Sequence, residues 1–186
     1  MLSLRTIEPH TLELLKALMQ EPALCDLRLV GGTALALQYG HRSSIDLDLF
    51  GKFDPQKSMR VFLLQNGHVA NGAENGEVQS LTVDGVKVDF VNYPYPWLQD
   101  CVEEENFRLA GLKDITAMKL SAAANRGRKK DFIDIEDSGL IFPLESSIIL
   151  FASSVLSANS TPAYKSSVFS LTTTKSISEN LDFTPT

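Results

Sequence analysis

The chain has 186 residues, 44% hydrophobic and 22% charged, enough for one domain with a proper core or one domain plus a small appendage. Its formal net charge of −6 argues against binding nucleic acid by overall charge, so any grip on a polyanion falls to local basic patches. No apolar run approaches the roughly 20 residues of a membrane span.

Leu12, Leu14, Leu15, Leu18 and Met19 form an apolar stripe after Pro9, predicting a helix over 10–19. Leu27, Leu29 and Val30 read as a short strand that stops at Gly31-Gly32, and residues 33–39 as a short apolar helix. Residues 45–50 read as the second strand. Asp54 as N-cap with Pro55 behind it starts a helix that would bury Met59, Phe62 and Leu63 and end at Asn66-Gly67. The clearest element follows: residues 78–83 and 86–91 flank Asp84-Gly85, the favoured pair for a two-residue hairpin turn. Pairing through that turn puts Leu81, Val83, Val86, Val88 and Phe90 on one face and Ser80, Thr82, Lys87 and Asp89 on the other. Pro94 and Pro96 bar a further central strand just after it. A second helix is predicted over about 114–125, interrupted at Gly127, with Arg126, Arg128, Lys129 and Lys130 clustered before Asp131-Phe132-Ile133-Asp134. Beyond Glu136 serine and threonine dominate, and Ile148-Ile149-Leu150-Phe151 is the strongest core candidate.

The chemistry concentrates in three aspartates. In a strand over 45–50, Asp46 and Asp48 share one face while Ile45, Leu47 and Leu49 take the other. Aspartate is a poor strand former, so two in so short a strand call for a reason. If this strand neighbours the one carrying Asp89, three carboxylates converge, and they repel one another unless a cation sits between them. Hard oxygen ligands suit Mg²⁺, which completes its shell with water and substrate phosphates. Such a site fits metal-dependent phosphoryl or nucleotidyl transfer, with Asp46 and Asp48 on the nucleotide-bound ion and Asp89 helping a second ion and the acceptor hydroxyl. The plainer alternative is a solvated carboxylate face.

Gly31-Gly32 lets backbone amides approach an anion at a helix N-terminus, and Thr33 adds a hydroxyl, although turns of this kind are common. Lys119, Arg126 and Lys130 could neutralise a triphosphate or grip an RNA backbone, or simply decorate a helix end. His10, His41 and His68 have no triad or metal spacing, and Cys25 and Cys101 read as free thiols. With Glu8 and Glu13 close behind Met1, no signal peptide is read, and a cytoplasmic protein is expected.

Residues 29–37, followed by His41-Arg42-Ser43-Ser44-Ile45-Asp46-Leu47-Asp48-Leu49-Phe50, resemble the signature of the AbiEii/AbiGii nucleotidyltransferase toxins. Lys87-Val88-Asp89-Phe90-Val91 with Tyr93-Pro94 is similar to that family's third-carboxylate strand. Asp114-Ile115 through Lys119, Arg126-Gly127 and Lys130-Asp131-Phe132-Ile133-Asp134 resembles its helical motif. The resemblance covers roughly residues 10–136 and implies an α+β fold of the DNA-polymerase-β-like nucleotidyltransferase superfamily. That fold has a small mixed sheet flanked by helices and a helical C-terminal part. It implies Gly31, Gly32 and Thr33 at the phosphates, Asp46, Asp48 and Asp89 as metal ligands, and Lys119 with Asp131 completing the site. It also implies transfer of a nucleoside monophosphate from a nucleoside triphosphate to RNA, notably tRNA, and a separately encoded DNA-binding antitoxin as partner.

The resulting division is a catalytic core over 1–98, a helical region over 99–136 and a serine/threonine-rich tail over 137–186, where the chain departs from the family's amphipathic helices. A reading-frame change or diverged terminus is expected from about residue 136. Two rival readings are a nucleotide-binding protein that acts without turnover through its antitoxin, and a kinase-like phosphotransfer to protein. The catalytic-loop pattern of protein kinases is missing from the sequence.

Overall fold

The computed structural model describes residues 1–54, 69–70, 78–126 and 129–139. The helices are α1 (Pro9–Gln20), α2 (Gly31–Tyr39), α3 (Leu112–Arg126) and α4 (Lys129–Gly139). The strands are β1 (Arg28–Val30), β2 (Leu47–Gly51), β3 (Val69–Ala70), β4 (Val78–Val83), β5 (Val86–Asn92), β6 (Val102–Glu104) and β7 (Phe107–Leu109). They form one mixed sheet in the order β3-β4-β5-β2-β1-β7-β6. This is the α+β architecture with a small mixed sheet that the sequence suggests.

The hairpin forms as predicted. Asp84 (φ 47°) and Gly85 (φ 85°) both take left-handed backbone, as a type I′ turn requires, and β4 and β5 pair antiparallel from Val83↔Val86 outward. β5 lies parallel to β2, which runs antiparallel to β1, which in turn is parallel to β7. Register builds a continuous apolar row: Phe90, Leu49, Leu29 and Leu109 stand side by side on four successive strands, all buried. Each such side chain contributes roughly 1.5–3 kcal/mol on burial. Helix α2 packs on β1 and β2, and α1 meets β7 through a face bearing Leu14, Leu15, Leu18 and Met19. α1 thus follows the apolar stripe read from its sequence.

The described residues fall into two compact units. One comprises Met1–Pro94 and Gln99–Ile115; the other takes Tyr95–Leu98 and resumes at Thr116. The first holds the whole sheet. Several expectations are corrected here. Residues 99–111 are not helical: Glu105 (φ 53°) and Asn106 (φ 65°) turn the chain between β6 and β7, so Glu104 pairs with Phe107. Strand β2 begins at Leu47, and Ile45 is 58% exposed instead of facing the core with Leu47. The helix expected after Asp54 and the serine/threonine-rich tail beyond Gly139 lie outside the described residues.

The β7 side of the sheet is tied to the segment before β1 by an arginine. Arg108 on β7 donates to the carbonyls of Met19 (2.7 Å), Leu24 (3.1 Å) and Leu27 (3.1 Å), tying the end of α1 and the turn after it to the strand.

Candidate active site

Strand β2 lies between β1 and β5, and its register decides which side chains meet. Asp48 stands opposite Asp89 on β5 and opposite Val30 on β1; Asp89 stands opposite Ser80 on β4. Two carboxylates thus face one another on adjacent strands, an arrangement that costs stability unless positive charge is supplied. Lys87, two residues before Asp89 and on the same face of β5, forms an ion pair with Asp89 Oδ2. Asp89 Oδ1 is buried and has no hydrogen-bond partner among the described residues. Asp46 sits just ahead of β2, partly exposed, and its backbone carbonyl accepts a hydrogen bond from the Thr33 hydroxyl. Among the described residues no three His, Cys, Asp or Glu side chains are grouped closely enough to hold a cation by themselves. Register therefore makes Asp48 and Asp89 a pair, while Asp46 belongs to the loop just before β2.

The glycine pair is built against this carboxylate face. Gly31 has φ 72°, and a Cβ there would lie 2.3 Å from Asp48 Oδ2. Only glycine combines that backbone with that approach. A Cβ on Gly32 would lie 2.3 Å from Nη2 of Arg42 and 3.4 Å from Ser44 Oγ. Helix α2 starts here with Val30 as N-cap, a residue with no side-chain acceptor to cap the first amides. A helix N-terminus of this kind, beside an arginine, suits an anion.

Thr33 is buried, and its hydroxyl is engaged by Ser44 Oγ (2.8 Å) as well as by the Asp46 carbonyl. Its side chain fastens the 41–46 loop to α2 and so positions Asp46. Arg42 donates to the Ser43 carbonyl at 3.0 Å. Arg42 and Lys87 were not singled out as site residues in the sequence, although both belong to the segments that carry the resemblance. For Lys87 the signal was its two-residue offset from Asp89, which fixes a shared face.

The second unit has a charged cluster of its own. Lys119 on α3 lies 2.6 Å from Asp134 Oδ2 and 3.4 Å from Asp131 Oδ1, and all three residues are buried. Asp131 and Asp134 are three apart on α4 and so share a helical face. Asp134 is thus a partner that the sequence reading left outside the site. Lys130 is exposed, and the side chain of Arg126 lies outside the described residues.

Known proteins resemble this chain in part of its sequence and in its fold. Residues 13–65, which carry Gly31, Gly32, Asp46 and Asp48, match the family described as Nucleotidyl transferase AbiEii toxin, Type IV TA system. That match makes this segment similar to the AbiEii nucleotidyltransferase family. A protein of Aquifex aeolicus (strain VF5), aq_aa25, is 33% identical over 139 residues, which span 71% of this chain and 66% of the Aquifex protein, just short of two thirds of its length. Among solved structures, the antibiotic-resistance factor ANT(2'')-Ia superposes with a TM-score of 0.64 at 15% identity, over 87% of this chain and 93% of its own. JHP933 from Helicobacter pylori gives 0.51 at 18% identity over 82% and 81% of the two chains. The Megavirus polyadenylate synthase gives 0.52 at 15% identity, covering 74% of this chain and 33% of the synthase. These likenesses show the fold. No helix among the described residues is long and apolar enough to cross a membrane.

Proposed function

We propose that this protein is a Mg²⁺-dependent nucleotidyltransferase toxin of a toxin–antitoxin or abortive-infection system. It would transfer a nucleoside monophosphate from a nucleoside triphosphate to an RNA acceptor, tRNA first among them. The observation that carries this reading is the register pairing of Asp48 with Asp89 beside the Gly31 turn. The family match supports the reaction class, and the type of system in that family's description supports an antitoxin partner and a place in the cytoplasm.

The chemistry of the donors suits a hard divalent cation: two carboxylates paired in register, and a buried Asp89 Oδ1 with no hydrogen-bond partner among the described residues. Asp46, Asp48 and Asp89 would hold Mg²⁺, which when bound would neutralise charge on the phosphates and the leaving pyrophosphate. The amides of Gly31, Gly32 and Thr33 would receive the phosphate oxygens, and Arg42 would supply positive charge alongside. The acceptor hydroxyl oxygen would form a bond to the α-phosphorus as the bond to pyrophosphate breaks, its proton passing to the Asp89 carboxylate. In the second unit, Asp131 and Asp134 would fix the Lys119 ammonium, and Lys119, Arg126 and Lys130 would give that unit positive charge for an RNA backbone.

The deciding experiment follows label from each triphosphate, at the α or the γ position, into bacterial tRNA with Mg²⁺. Wild type is compared with Asp48→Asn and Asp89→Asn. Transfer of α-label that both variants lose supports the reading. Transfer of γ-label would instead indicate a kinase-like reaction. Triphosphate binding without any transfer would indicate a nucleotide-binding protein acting through its partner.

A further inference from the structure

We propose that Lys87 is a built-in counter-ion that occupies the cation's side of Asp89 and must be displaced when a divalent ion binds. The inference rests on the proposed cation site and adds a residue that none of the expected ligand sets includes. Lys87 and Asp89 are alternate residues of β5, so both side chains rise from one face of the sheet. The lysine side chain is 53% exposed and the aspartate side chain 18%, so the ammonium reaches from solvent down to the Oδ2 atom of a mostly covered carboxylate. The other oxygen of that carboxylate is buried without a hydrogen bond among the described residues. Asp48, the next carboxylate across the sheet, stands in register with it.

The charges explain why such a residue would matter. Two facing carboxylates repel, and one tethered ammonium neutralises half of that charge at no cost in bringing an ion from solution. A divalent ion between the carboxylates neutralises both, but it meets repulsion from an ammonium already bound to Oδ2. Lysine suits such a part because its charge sits on a flexible four-carbon stem and can swing outward with little strain. The bare protein is then a poor divalent-cation binder. A triphosphate, which attracts the ammonium away from Asp89, improves the site for the ion that accompanies it, and this coupling is reciprocal.

Mn²⁺ binding to the full chain without nucleotide, followed by the electron paramagnetic resonance of the free ion, tests this without any reaction. Lys87→Met keeps the stem and removes the charge; it is expected to bind Mn²⁺ roughly tenfold more tightly than wild type. Lys87→Arg, which keeps the charge, is expected to bind as wild type does. Equal affinities for wild type and Lys87→Met, with binding lost in Asp48→Asn, would overturn the counter-ion and leave the cation site standing. Weaker binding by Lys87→Met would also overturn it, since Lys87 would then support the site. Binding unaffected by Asp48→Asn would instead remove the cation site, and the counter-ion with it. Circular dichroism of each variant confirms that the comparison is between folded proteins.

Discussion

The carboxylate of Asp48 lies where a side chain on Gly31 would be: a Cβ at that glycine would come within 2.3 Å of Oδ2. The turn that opens α2 and the strand that carries the carboxylate are therefore one steric unit. A left-handed backbone at φ 72°, open to glycine but strained for other residues, and a close approach meet at the same residue.

Gly31→Ala is accordingly expected to lower stability by about 1–3 kcal/mol, through strain at positive φ, and to push Asp48 out of register with Asp89. Nucleotidyl transfer should fall by two orders of magnitude or more, since misplacement of about 1 Å can cost roughly a hundredfold. Gly32→Ala is the informative contrast, because its Cβ would meet the far end of a flexible arginine. It should fold nearly as wild type while weakening triphosphate binding through displaced Arg42. Thermal denaturation alongside a nucleotide-binding titration separates the two effects.

Breaking the buried charge cluster should be far more damaging than its surface counterpart. Lys119→Met leaves Asp131 and Asp134 buried without that ammonium, for which a loss of about 3–5 kcal/mol is expected. Lys16→Met breaks an exposed pair with Glu13 at 2.9 Å and should cost no more than about 0.5 kcal/mol. Urea unfolding of both variants measures the difference. Lys119→Met and Lys16→Met with equal midpoints would contradict it.

Arg108 makes a similar prediction for the first unit. Its guanidinium donates to three backbone carbonyls, so Arg108→Met should destabilise by about 2–4 kcal/mol. Hydrogen exchange should rise first in β1 and at the end of α1 if those contacts hold the flank together.

The thiols should differ in reactivity. Burial pushes the Cys101 thiol up from its ordinary range, outweighing the nearby Arg28, and its Sγ lies 3.5 Å from the Leu109 carbonyl. A raised value keeps the neutral thiol at a pH where an ordinary cysteine begins to ionise, and the thiolate is the nucleophile. Exposed Cys25 should therefore react with iodoacetamide several-fold faster at pH 8, as mass spectrometry of the labelled chain would show.

Much of this molecule was legible in its residues. Period two in 78–91 around Asp84-Gly85 gave the hairpin and its buried face, and the stripe from Leu12 to Met19 gave α1. The β6–β7 hairpin was hidden because its turn, Glu105-Asn106, lacks glycine and its strands are three residues each, too short to show a period. Ile45 misled because alternation was extended one step too far: the strand starts where pairing starts, at Leu47, and the Thr33 hydroxyl holds the chain just before it. Arg42, Lys87 and Asp134 escaped notice for a related reason. Arg42 and Asp134 act on residues of other elements, Gly32 and Lys119, which single-sequence spacing does not report, whereas Lys87 shares β5 and one face with Asp89, and what spacing leaves out is their ion pair.

The edge of β1 is covered by β7, which comes from residues 107–109, and Arg108 reaches back about 80 residues to close the flank. A nascent chain that has emerged only as far as Leu98 already contains the glycine turn and all three aspartates, yet its β1 still has an unpaired edge. Long-range pairing of this kind is slow and comes late in folding. A chain that stops at Leu98 would therefore carry every one of those side chains without the strand that covers β1.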